Sequence, residues 1–282
     1  MGSTHSDLDA EQALTLMYTA AKIQNMLPDV GIDDSLLKYS GINSNSELQT
    51  YSNNLINTVP GFVNNLGSSL ASLNSVPNAV GLGALVLSMI LEFCVKSSSQ
   101  SNDDSYSMLQ RVFGEEKAST VRNTMLEYLK RHQIFIKNQQ RLQKELQRLE
   151  EQLSGHLTTL KTSLQDGQMS TRGFKIWVNG ASFHVQMLVH EARLKNPTGQ
   201  DLLQYVNSIS VAIDLYVKDL DNLLQKYKDF MTSTEYGLPM FTDYIFSHHE
   251  AITGLRSHFL TVKNNLNSVI KQHSSFSLRS RA

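Results

Sequence analysis

Nine histidines and a single cysteine, Cys94, have the widest chemical reach in this 282-residue chain. Two short strings set histidine beside acid and base: "HEAR", His190 to Arg193, and "HHE", His248 to Glu250. Both resemble fragments of metal motifs, but a zinc protease helix sets two histidines one turn apart with a third ligand in view. Neither string does so. Cys94 lies inside an apolar run, where a thiol is buried and inert rather than nucleophilic. Gly81 and Gly83 build no dinucleotide or phosphate loop, and no Gly-x-Ser-x-Gly elbow occurs. The expectation is a protein without enzymatic activity, with no catalytic residue, cofactor or metal. The histidines suit proton sensing better. His184 shares a helical face with Trp177, Ala181 and Leu188, and His248 lies between Ile245 and Ile252 on another. Seam histidines that charge near pH 6 would loosen such packing.

The elements that must carry these residues are helical almost throughout. Apolar residues recur at three and four from Ala13 to Ile23, with Pro28 beyond, which predicts a helix ended by proline. Residues 29–46 read as a linker with about one helical turn. A single very long helix is expected from about Glu115 to Gln165, its seam formed by Leu142, Leu146, Leu149, Leu153, Leu157, Leu160 and Leu164 at heptad-like spacing. Further helices are expected over Arg172–Leu194, from Asp201 to about Thr234, and from Ile245 to Val269, separated by "KNPTGQ" and "EYGLP". No strand-period segment of useful length appears. The fold class expected is all-α: an elongated bundle of about five long helices, one domain over residues 1–272, with a disordered basic tail at 273–282. Helices of thirty to fifty residues would make it a rod of roughly 50–75 Å.

One region departs from the rest. Residues 48–91 contain no Asp, Glu, Lys or Arg. The first half of this region, within residues 46–96, is amphipathic: Val59, Phe62, Leu66, Leu70 and Leu73 form a stripe opposite an Asn/Ser face. The second half, "VPNAVGLGALVLSMILEFCV" from Val76 to Val95, is almost wholly apolar. Together they read as an apolar helical hairpin enclosed by the bundle. Two readings stay open. A helix apolar on every side is what the middle of a bundle contains. Charge is also what keeps a segment out of a bilayer, and twenty helical residues span about 30 Å. On the second reading Val80, Gly81, Leu82, Gly83, Leu85, Val86, Met89, Ile90 and Phe93 meet lipid, with Val59, Phe62, Leu66, Leu70 and Leu73 as their amphipathic partner.

Composition excludes several classes. Net charge is −1, so no global field selects nucleic acid or anionic membrane. One cysteine forbids an intramolecular disulfide. The N-terminal "MGSTHSDLDAEQALTL" lacks the basic and apolar regions of a leader, although "MGSTHS" loosely fits a myristoylation start. No Asn-x-Ser/Thr acceptor occurs. A cytoplasmic protein with conditional membrane association is expected, and leaderless release would leave no mark of this kind.

Two stretches, "VPNAVGLGALVLSMILEF" and "GFKIWVNGASFHVQMLVHEARL", resemble the rapunzel family of fish proteins and, more distantly, the cephalotoxin-like proteins of marine animals. The resemblance covers about Leu14 to Val269. It implies a non-enzymatic scaffold or signalling protein acting through protein partners in fin and skeletal development. The layout of long helices around an apolar hairpin is similar to α-helical pore-forming toxins of the cytolysin A type, and apolipoprotein L-like proteins share such a hairpin. That layout implies a lipid membrane as partner and a homo-oligomer on it.

Overall fold

A computed structural model describes residues 3–40, 50, 112, 119–135, 138–235 and 237–271. Among them the helices are α1 (Ser3–Ile23), α2 (Asp34–Ser40), α3 (Ser119–Phe135), α4 (Gln139–Gln165), α5 (Thr171–Lys195), α6 (Gly199–Phe230), α7 (Pro239–His248) and α8 (Glu250–Lys271), with a π-helical turn at Met231–Glu235 and no strand. The described residues are all-α, as their periodicity dictates. The uncharged stripe of Val59, Phe62, Leu66, Leu70 and Leu73 lies outside the described residues. So do Val80, Gly81, Leu82, Gly83, Leu85, Val86, Met89, Ile90, Phe93, Cys94 and the basic tail. No helix among the described residues is long and apolar enough to cross a membrane.

The expected long helix from Glu115 to Gln165 is instead two helices, α3 and α4, packed along each other. They run antiparallel: Thr124 meets the His156 ring at 3.1 Å, and Arg131 lies 4.0 Å from Glu145. Asn138 leaves helical geometry and caps α4, its side-chain oxygen accepting from the Arg141 amide at 3.1 Å. The fold-back buries Val121, Met125 and Tyr128 of α3 together with Leu142, Leu146, Leu149, Leu153, Leu157 and Leu164 of α4. One straight helix could not bring those two seams together. The longest described helix is α6, with 32 residues, about 48 Å at 1.5 Å per residue.

A second difference falls near the C-terminus. The last helical stretch is broken at His249, whose backbone is extended. Ile245 and Ile252 are both buried, but the break changes the register between them. His248 is exposed and stacks on Tyr244 at 3.9 Å, so it is not the seam residue its spacing suggests.

The middle of the core is α5. It packs against α2, α4, α6 and α8, and α3 reaches it through Tyr128, whose ring meets Phe183 edge-on at 5.9 Å. Every residue from Phe174 to Met187 is buried. Ser170 caps α5 by accepting from the Gly173 amide, and Asn196 ends it in the left-handed conformation at φ 47°. Two glycines let α4 come close. A Cβ on Gly173 would lie 2.8 Å from Leu164 Cδ2, and one on Gly180 would lie 2.6 Å from Leu157 Cδ2. The glycines and the leucines are both one heptad apart, in opposite chain directions.

Candidate functional site, a polar spine in the central helix

The central helix is not apolar. Lys175, Asn179, Ser182, His184, Gln186, His190 and Arg193 are all buried along it. Burying such groups is costly unless each is hydrogen-bonded, and most of them bind an element far away in sequence.

Lys175, Asn179, Ser182, Gln186 and Arg193 follow a heptad-like spacing and share one face of α5. The Lys175 ammonium pairs with Asp29. Asn179 donates to the Gly31 carbonyl at 3.0 Å and to the Lys175 carbonyl at 2.9 Å, and it accepts from the Asp33 amide at 2.8 Å. One side chain thereby ties the α1–α2 connector across the core. Ser182 meets the His258 ring of α8 at 2.8 Å. The Arg193 guanidinium donates to the Val269 carbonyl at 2.7 Å, one of the orphan carbonyls in the last turn of α8. Burial pulls the pKa of Arg193 down to about 10.

His184 sits on another face. Its Nε2 lies 2.5 Å from Glu150 of α4, and Tyr216 of α6 donates to its Nδ1 at 3.0 Å. Those partners set the tautomer, with the proton on Nε2. Burial, then the Glu150 and Asp219 charges, raise the pKa of Tyr216 well above that of a free phenol. His190 contacts the Tyr128 hydroxyl of α3, and burial, with the Glu191 and Glu150 charges, likewise raises the pKa of Tyr128. Trp177 packs edge-on to Tyr216 at 6.0 Å.

A carboxylate, an imidazole and a phenol in series would suit general acid-base work. Here the imidazole is buried, and the carboxylate and the phenol are half-buried. The surface groove between the start of α6 and the end of α8, with Pro197, Leu202, Leu203, Ile270 and Lys271 in its lining, touches none of them, nor does the one lined by Glu11, Gln12, Thr15 and Leu16. The arrangement orients α4, α5 and α6 on one another. The two histidine strings do not converge. His190 faces Tyr128 while Arg193 faces α8. His248 stacks on Tyr244, and His249 bonds the Pro28 carbonyl at 2.9 Å.

Sequence reasoning placed His184 in a seam but missed its partners Glu150 and Tyr216. It also missed Asn179, Ser182, Arg193 and His258. The available signal was the second, polar heptad on α5, running from Lys175 to Arg193 beside the apolar one. A helix with two seams has neighbours on both. No protein-family model, curated protein or solved structure matches this chain.

Proposed function

We propose that this is a membrane-active, non-enzymatic helical protein whose uncharged segment, within residues 46–96, acts as a helical hairpin that enters a lipid bilayer and oligomerises there. In this reading Val80, Leu82, Leu85, Val86, Met89, Ile90 and Phe93 meet lipid. Gly81 and Gly83 allow close helix contact, and the stripe from Val59 to Leu73 lines the opposite side. The supporting observation is that the all-round buried helix is α5. Among the described residues α5 occupies the middle of the core, and lipid or a partner would give a second helix, apolar on every side, its apolar surroundings. Asn179 holds Gly31 and Asp33 just before α2, and Val121 at the start of α3 lies 3.5 Å from a Cβ placed on Gly180, so the described elements on either side of the segment meet adjacent residues of α5.

Dye leakage from liposomes tests this, at pH 7.5 and 5 with neutral and anionic lipids. Wild type releases dye. Leu85→Arg, Gly83→Arg and Ser88→Glu lose release while keeping far-UV helicity. No leakage and no liposome binding in any condition sinks the reading. The alternative is a soluble scaffold or signalling protein of the rapunzel-like type. Exposed Leu203, Val211 and Leu215 along α6 favour it, because an uncovered apolar strip on a rigid helix suits a protein partner.

A further inference from the structure

We propose that His258 is an acid-sensitive latch between α5 and α8: charging its ring parts α8 from α5 while α8 stays tied to α6. This inference does not depend on membrane activity.

Two part-buried histidine contacts differ in what receives a proton's charge. His184 has the Glu150 carboxylate at 2.5 Å. His258 has only the Ser182 hydroxyl, at 2.8 Å. A hydroxyl can accept a hydrogen bond from an imidazolium but supplies no counter-charge.

The surroundings are equally unhelpful to a cation. On α5, the charged residues sharing the Ser182 face are Lys175 and Arg193, both cations. On α6, Asp214 is held by Lys263 and Asp221 by Arg256, and Tyr216 presents a ring that stacks with Phe259 at 6.4 Å. On α7, Asp243 is held by Lys228, while Tyr244 and His248 stack on each other. In the α1–α2 connector, Asp29 is held by Lys175, and the Asp33 amide is held by Asn179. On α8 itself the charged groups are Glu250, Arg256, Lys263 and Lys271. No described carboxylate pairs with His258.

Burial alone pulls the pKa of His258 from 6.5 down to about 4. The unfolded ring therefore binds a proton between those values and the folded ring does not. Stability is unaffected above pH 6.5 and falls as pH drops toward 4. The contacts of α8 respond unequally. Its ion pairs to α6 involve Asp, Arg and Lys, which stay charged to about pH 4. Its contact with α5 through Ser182 is the one that acid strains, whereas Arg193 keeps its hold on the Val269 carbonyl in the last turn, so α8 parts from α5 around Ser182 and stays attached at its end. The preferred motion is thus a pivot of α8 on α6.

Native-state hydrogen exchange, corrected for intrinsic rates, reads this directly. The opening constant for α8 amides should rise about tenfold per pH unit between 6 and 4, while α3 and α4 keep their protection. Trp177, the only tryptophan, touches Tyr216, which stacks on Phe259, so its emission should shift red over the same range with far-UV helicity retained. His258→Gln keeps a donor for Ser182 and should remove both responses. His184→Gln should keep them. The histidine resonances of the unaltered protein give an independent reading: His258 should stay neutral to below pH 5. A midpoint near 6.5 for that ring, an unchanged response in His258→Gln, or loss of protection in every helix together would each overturn the latch.

Discussion

Asn179 is fully buried and uses both ends of its amide, donating to two carbonyls and accepting from a backbone amide. Asn179→Asp keeps the shape and the acceptor but turns the donor into a second anionic oxygen facing the Gly31 and Lys175 carbonyls. Leaving buried groups so mismatched costs about 3 kcal/mol. Urea unfolding checks this, and a loss under about 1 kcal/mol would mean that water or a shifted connector satisfies the site. The helical position of Asn179 is readable from spacing, and so is that of His184. Their partners are not. Glu150 and Tyr216 lie 34 and 32 residues from His184, and Gly31 lies 148 residues from Asn179. Hydrogen-bond partnership leaves no periodic trace.

At the scale of elements, the contact between α4 and α5 depends on Gly173 and Gly180 meeting Leu164 and Leu157. Gly180→Val puts a branched side chain where Leu157 Cδ2 and Val121 Cγ1 already lie, 2.6 and 3.5 Å from its Cβ. Overpacking of this kind costs about 1–3 kcal/mol, offset only in part by better helix propensity. Gly254 on α8 supplies the control, since nothing lies within 4 Å of a Cβ there. Gly254→Ala should gain up to about 1 kcal/mol. Thermal melts of the two variants should therefore move in opposite directions. Equal shifts would mean that helix propensity, not interhelical distance, is what these glycines govern.

At the scale of the whole molecule, α5 lies in the middle of the core among the described residues, and the apolar run Val76–Val95 lies outside them. Replacing residues 48–91 with a short Gly/Ser linker should leave a helical protein that unfolds cooperatively, because the flanking elements already meet α5 at adjacent residues. Circular dichroism and calorimetry would show it. Loss of cooperative unfolding would return that segment to the core and remove the main support for membrane entry. A folded deletion variant without leakage would tie the activity to the segment.

The sequence by itself determined the all-α class, the course of α5 and α6 to within a few residues, and the leucine seam of α4, of which Leu160 alone is half-buried rather than buried. These follow from local periodicity, capping residues and proline, which act within a few turns. It read one helix where α3 and α4 fold back, because a heptad seam continues in register across Asn138 and periodicity carries no sense of direction in space. It put His248 in a seam, because a break of one residue at His249 changes every face that follows. Tertiary structure alone decided which helix lies in the middle. A stripe reports that a face is covered but not by what, and polar residues tolerate burial only when distant elements bring them partners. The helix enclosed among the described residues is α5, and most of its buried polar side chains meet partners from the helices and connector around it.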